Sequence, residues 1–181
     1  MTQLIHYPIT KHPAIIETHW RLWQPQAGEM QIPLGKQIIP FAYWIKHNQE
    51  PNLIKRALDG QIGVWFSEED DVLQNQQWIH AGKKLWPLLA VRFPLFRDGR
   101  GFSTAILLRE RLAWQGPIWA VGDILVDQLD QLARVGFDHF VLRDDQDYQI
   151  ALRKFYLFST RMQNSWRDLR SYASQSGVIS V

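Results

Sequence analysis

A repeating order of short apolar runs and amphipathic segments from Gln61 onwards is the feature that most constrains the fold. Runs of apolar residues predict four strands, at Ile62–Phe66, Leu88–Phe93, Pro117–Val121 and His139–Leu142. Segments with helical spacing follow each run, at Asp70–His80, Ser103–Ala113, Ile124–Val135 and Gln146–Phe158. Four successive strand–helix units indicate an α/β fold with parallel strands joined by helical crossovers.

Two architectures fit this pattern: a half TIM-barrel-like sheet and an open doubly wound sheet. The sequence leaves both open. Residues 1–60 are rich in proline and predict an irregular N-terminal region with short strands and helices. Residues 61–160 then form the α/β domain, and residues 161–181 form a polar C-terminal tail.

The chain of 181 residues contains no cysteine. This excludes a thiol nucleophile, a redox pair of cysteines, a disulfide and an iron–sulfur cluster that this chain ligates through cysteine. The amino-terminal residues do not resemble a signal peptide, and no apolar run approaches the length of a membrane span. We therefore expect a cytoplasmic protein that does not interact with membranes.

The net charge of +2 is small, and the basic residues form no cluster. Nucleic-acid binding is not expected on this basis. The six histidines show no spacing typical of a metal site, so no metal is predicted. A second copy of the chain is a candidate partner.

The loop after the second predicted strand is the sharpest local feature. In parallel α/β folds, functional sites form at the carboxyl ends of the strands. Glycines there allow close backbone approach, a serine can cap the following helix, and arginines bind oxyanions such as phosphate, sulfate or sulfite. The anion-binding candidates are Arg97, Gly99, Arg100, Gly101, Ser103 and Arg109, with Arg109 on the exposed face of the helix. A tight loop with solvated arginines is the structural alternative.

Three carboxylates are candidates for acid–base or orienting roles. Asp98 lies in the same loop, and Asp123 and Asp127 are four residues apart after the third strand. That spacing places Asp123 and Asp127 on one face of the predicted helix near its amino terminus. Capping of the helix or favourable interaction with its dipole is the preferred explanation of the pair.

Three ordered blocks carry a family resemblance: FPLFRDGRGFSTAILLRER (93–111), AVGDILVDQL (120–129) and RVGFDHF (134–140). They resemble the patterns FPxFxDGRGxSxAxLLRxR, AxGDVLxDQL and RxGFDxF of a bacterial family of unknown function. That family is described as an oxidoreductase involved in sulfite reduction. Val135 stands where many members carry cysteine, and Gly-Pro-Ile-Trp (116–119) replaces the family's Gly-Glu-Leu-Arg.

The resemblance implies a role in assimilatory sulfite reduction beside siroheme sulfite reductase or another sulfate-assimilation enzyme. Because the chain lacks cysteine and an evident dinucleotide motif, it would need a bound flavin or nicotinamide to transfer electrons. Two hypotheses follow. The protein is an oxidoreductase or electron-transfer accessory of sulfite reduction, or it is a non-catalytic binding or assembly module for a sulfur-assimilation enzyme. An α/β lyase or isomerase is a weaker third interpretation.

Overall fold

The structure is a computed structural model that describes residues 2–9, 11–26, 31–156 and 166–167. Eight strands form one sheet in the order β2-β1-β8-β7-β6-β5-β4-β3. The strands are β1 (Thr2–His6), β2 (Ala14–Thr18), β3 (Arg21–Leu22), β4 (Gln37–Pro40), β5 (Ile62–Phe66), β6 (Leu89–Phe93), β7 (Ile118–Gly122) and β8 (His139–Phe140).

Six α-helices lie between or after these strands in the described part of the chain. They are α1 (Phe41–His47), α2 (Pro51–Leu58), α3 (Gln76–Gly82), α4 (Arg100–Ile106), α5 (Leu129–Arg134) and α6 (Tyr148–Lys154). A π-helical turn, Leu107–Arg111, extends α4, and a 3-10 turn, Val126–Gln128, precedes α5. No helix in the described ranges is long and apolar enough to cross a lipid bilayer.

The fold is a mixed α/β fold with a curled, half-barrel sheet. From β4 to β8 each strand lies beside its predecessor and runs parallel to it. The doubly wound alternative is therefore wrong, because it requires the strand order to reverse. The picture of four parallel strand–helix units is also too simple, since β1 pairs antiparallel with both β2 and β8.

The N-terminal region, predicted to be irregular, contributes four strands to this sheet. Its hairpin β1–β2 joins β8, while β3 and β4 extend the opposite edge beside β5. The predicted polar tail lies outside the described residues except at 166–167, where Arg167 donates to the backbone oxygens of Tyr7 and Pro8.

The two faces of the sheet carry different cores. The larger core contains the buried residues of the α-helices, including Phe41, Leu53, Ile79 and Leu132. The smaller core consists of strand residues and their neighbours, and we call this side the inner face: Leu4, Ile38, Trp65, Leu88, Ala90, Trp119 and Val121. Helices covering one face of a sequentially ordered parallel sheet are the arrangement expected of half a barrel.

Candidate functional site

A close contact between β6 and β7 shapes the carboxyl edge of the sheet, where the predicted site lies. The amide of Asp123 donates to the carbonyl of Phe93 over 2.8 Å. Gly122 makes this approach possible, because its φ is +103° and a Cβ there would lie 2.3 Å from the Phe93 oxygen. Only glycine tolerates both conditions without strain. Gly122 therefore fixes the points at which the loops after β6 and β7 begin.

Asp123 and Gln128 hold the loop after β6 by its backbone. The amide of Phe96 donates to Asp123 Oδ2 over 2.8 Å, and the carbonyl of Phe96 accepts from Gln128 Nε2 over 2.6 Å. Gln128 Oε1 in turn accepts from the amide of Leu125 over 2.9 Å. The side chains of Leu95 and Phe96 nevertheless stay 52% and 49% exposed. The loop is therefore fixed in position while it presents two apolar side chains to solvent.

Arg100 is occupied by its neighbour Asp98. Its Nε donates to Asp98 Oδ1 over 3.0 Å, and its Nη2 donates to Oδ2. These hydrogen bonds lower the pKa of Asp98 to about 2. The same contact raises the pKa of Arg100, and the charges of Glu68 and Glu69 act in the same direction. The guanidinium fork predicted to bind an oxyanion is thus already paired with a carboxylate.

Arg143 joins the loops after β7 and β8. Its Nη1 donates to Asp123 Oδ1 over 2.7 Å, and its Nε and Nη2 bind both oxygens of Asp145 over 2.7 and 2.8 Å. The hydrogen bonds from Arg143 lower the pKa of Asp145 to about 2. Arg143 is not among the site residues predicted from the sequence. Asp98 and Asp123 bind different arginines here rather than a common one.

Arg109 lies near the amino ends of the strands, away from the predicted loop. Its guanidinium donates to the carbonyls of Gly136, Trp114 and Gly116 and to Asp138 Oδ2, over 2.7–3.1 Å. Only 2% of the residue is exposed, so the expectation of a solvent-facing Arg109 is wrong. The buried cation instead joins the segments that lead into β7 and β8.

The remaining predicted residues differ in their surroundings. Gly101 packs against β6, since a Cβ there would lie 2.6 Å from the Phe93 ring. Gly99 is the N-cap of α4 and makes no such close approach. Ser103 is an exposed residue inside α4, so the expectation that it caps the helix is wrong. Arg97 is exposed in the same loop.

Asp123 and Asp127 do not share a helical face. The backbone between them is extended at Leu125, with φ −101° and ψ 155°, and only then enters the 3-10 turn that contains Asp127. Asp123 contacts the loop and Arg143, whereas Asp127 is exposed. Within the described ranges, no group of three or more acidic or histidine side chains is arranged to hold a metal ion.

The carboxyl edge is acidic. The loops that follow β5 to β8, counted with the first residue of α4, contain three arginines, Arg97, Arg100 and Arg143. The same loops contain a larger set of carboxylates: Glu68, Glu69, Asp70, Asp71, Asp98, Asp123, Asp127, Asp144, Asp145 and Asp147. A cleft of about 760 Å³ elsewhere, lined by Tyr43, Glu50 and Arg56 among others, includes none of the predicted site residues.

A second group of polar and aromatic side chains lies on the inner face. One register row crosses the sheet through Trp65, Ala90, Trp119, His139 and His6. The rings of Trp119 and His139 stack at 5.2 Å, and those of His139 and His6 stack at 4.3 Å. The sequence analysis found no spacing typical of a metal site among the histidines and did not place any of them in a functional site. Side chains alternate between the two faces along each strand, so this alternation in β7 and β8 could have placed Trp119 and His139 on the same face. The contact with His6 could not be predicted, because no local sequence pattern indicates that β1 pairs with β8.

The chain belongs to a family described as bacterial proteins of unknown function (DUF934), whose model matches residues 63–172. The matched range begins in β5 and includes both the carboxyl edge and most of the inner-face row. No curated protein and no solved structure matches the chain.

Proposed function

We propose that this protein is a non-catalytic accessory of assimilatory sulfite reduction that docks on siroheme sulfite reductase through its carboxyl edge. The observation that carries the proposal is the fixed loop with exposed Leu95 and Phe96. Asp123 and Gln128 hold the backbone of Phe96 on both sides, so little backbone conformational entropy remains to be lost when its side chain is buried. Rigid aromatic anchors of this kind dominate the free energy of binding at protein interfaces.

The occupied arginines favour docking over anion chemistry at this edge. The Nε and Nη2 atoms of Arg100 donate to Asp98. The Nη1 atom of Arg143 donates to Asp123, and its Nε and Nη2 atoms donate to Asp145. An oxyanion would have to displace these carboxylates and would also meet the charges of Glu68 and Glu69, which act on Arg100. A redox enzyme with a flavin or nicotinamide phosphate bound by these arginines is therefore the less favoured hypothesis.

Charge complementarity defines the partner surface. An apolar centre surrounded by carboxylates fits a pocket that is lined by apolar groups and bordered by lysine and arginine. We therefore expect siroheme sulfite reductase to present such a basic surface, and association to weaken as salt increases. The link to sulfite reduction comes from the resemblance of the three sequence blocks, and the docking mode comes from the geometry of the loop.

The test is a binding measurement between the purified full-length protein and the siroheme sulfite reductase of the same bacterium. We expect Phe96→Ala to weaken binding by about tenfold or more, because a half-exposed aromatic anchor is removed while the backbone clamp is kept. Leu58→Ala is the matched control, since Leu58 is 66% exposed on α2. Absence of binding by the unaltered protein excludes this partner, and equal binding by the Phe96 variant excludes this surface.

A further inference from the structure

The amino edge of the sheet contains a cavity with aromatic walls. It has a volume of about 220 Å³ and lies between the segments that lead into β6 and β7. The loop after β6 (94–99), which we call the docking loop, lies at the opposite edge of the sheet. The cavity accommodates one side chain of aromatic size. Its lining residues are Lys83, Trp86, Ala113, Trp114, Gln115 and Gly116.

Packing and hydrogen bonds fix the two aromatic walls of this cavity. The ring of Trp86 meets that of Trp44 edge-on, with their centres 5.3 Å apart. The indole Nε1 of Trp114 donates to the carbonyl of Pro117 over 3.2 Å, and the buried Arg109 donates to the carbonyl of Trp114 over 2.9 Å. A cavity whose walls are already fixed loses little conformational entropy when an apolar group enters it.

The border of the cavity is basic. Lys83 lines it, and Lys84 and Arg111 are close to lining residues along the chain. All three residues are exposed, and their side chains form no hydrogen bond or ion pair with another residue that the structure describes. Glu110 is the only carboxylate in the two bordering segments, 83–88 and 107–117. The cavity therefore favours an apolar group that has negative charge around it.

The carboxyl edge of the same chain has the complementary features. Leu95 and Phe96 of the docking loop are 52% and 49% exposed, and the surrounding loops contain more carboxylates than arginines. An apolar side chain with an acidic border thus matches an apolar cavity with a basic border. The two surfaces lie at opposite ends of the parallel strands, so a single molecule cannot bring its own two surfaces together.

We propose that the amino-edge cavity binds Phe96 of a second copy of this chain in a head-to-tail arrangement. The Phe96 ring enters between Trp86 and Trp114, and Lys83 approaches the carboxylates around the docking loop. Because the contact joins two different surfaces, each added copy leaves one free cavity and one free loop. Self-association therefore competes with docking on siroheme sulfite reductase. It uses the same loop but does not depend on that partner.

The experiment is sedimentation velocity of the full chain at concentrations from about 1 µM to about 1 mM. We expect the unaltered protein to form species larger than a dimer as its concentration rises. Phe96→Ala removes the inserted ring and Lys83→Glu reverses a charge at the cavity, so each should weaken self-association by about tenfold or more. Lys55→Glu is the matched control, because it makes the same charge change at an exposed residue of α2 outside the cavity lining.

A mixture of the two variants tests the head-to-tail geometry. The Phe96 variant keeps its cavity and the Lys83 variant keeps its docking loop, so equal amounts should form a mixed dimer that cannot grow further. The proposal is overturned if the unaltered protein stays monomeric, if Lys83→Glu associates no more weakly than Lys55→Glu, or if the mixture forms no dimer. Binding of the Lys83 variant to siroheme sulfite reductase is measured in parallel, because its docking loop is unaltered. Reductase binding without self-association overturns this inference alone, and self-association without reductase binding overturns the docking function alone.

Discussion

At the scale of single residues, Arg109 shows how a cation predicted for a site stabilises the fold instead. Its hydrogen bonds reach the carbonyls of Trp114, Gly116 and Gly136 and the carboxylate of Asp138. Gly136 also approaches it closely, since a Cβ there would lie 2.6 Å from Arg109 Cγ. The sequence could not reveal this role, because those partners become neighbours only after β7 and β8 pair.

Replacement of Arg109 by methionine should destabilise the protein by about 3–5 kcal/mol, because it leaves Asp138 and three carbonyls without their buried partner. Arg111→Met is the matched control in the same π-helical turn, where Arg111 is exposed. It should change the free energy of unfolding by less than about 0.5 kcal/mol. Denaturant titration measures both, and equal effects of the two variants would contradict a structural role for Arg109.

Gly122 is the second residue whose replacement tests the site. Gly122→Ala should cost about 2 kcal/mol or more, because the new Cβ meets the Phe93 carbonyl at 2.3 Å and the backbone has φ +103°. Gly99→Ala is the control, since no atom lies within 4 Å of a Cβ there and its φ is −79°. Thermal denaturation of the two variants distinguishes them. A fully stable Gly122→Ala protein would show that β6 and β7 do not approach in this way.

At the scale of elements, strands were predicted better than helices. Ile62–Phe66 matches β5 fully, and the predicted start of the strand at Leu88 differs from that of β6 by one residue. The helix predicted from Asp70 begins only at Gln76. Asp70 accepts from the amide of Ser67, and Asp71 accepts from the amides of Leu73 and Gln74. These aspartate side chains accept hydrogen bonds from backbone amides and so compete with helix formation. The spacing of apolar residues gives no indication of this competition.

The pairing of β1 with β8 brings His6 into contact with His139, and their rings stack at 4.3 Å. Burial lowers the pKa of His6, and the nearby His139 lowers it further. Asp138 acts in the opposite direction, while Arg167 and Lys11 reinforce the lowering. The N-terminal hairpin is thus attached to the parallel strands through a contact that disfavours protonation.

The hairpin attachment should therefore weaken in acid. Unfolded His6, with a pKa near 6.5, binds a proton that the folded protein resists, so the free energy of unfolding falls as the pH drops through 6.5 towards the lower folded pKa. His6→Phe should reduce this pH dependence, whereas His12→Phe, at an exposed position, should not. Denaturant titrations between about pH 5 and 8, the range in which histidine side chains titrate, measure the pH dependence of the free energy of unfolding. An unchanged slope in the His6 variant would contradict the linkage.

At the scale of the whole molecule, two surfaces with different electrostatic character lie close together. The carboxyl edge is rich in carboxylates, whereas the strands direct His6, Arg92 and His139 to the inner face. The sequence predicted an edge where arginines and carboxylates meet, and that gathering is present. It could not predict that Asp98 pairs with Arg100 while Arg92 has no hydrogen bond or ion pair to another described residue, because the selection of partners depends on loop geometry.

The order of the strands also has a consequence for synthesis on the ribosome. The hairpin of β1 and β2 emerges well before its neighbour β8 and before the Tyr148 hydroxyl that donates to the carbonyl of Gln3. At ordinary rates of translation, roughly 130 residues correspond to about 7 to 26 s. During that interval the apolar side chains of Leu4 and Ile5 lack their final covering. The nascent chain therefore exposes an unpaired strand edge, the kind of surface that chaperones shield, until β8 is made.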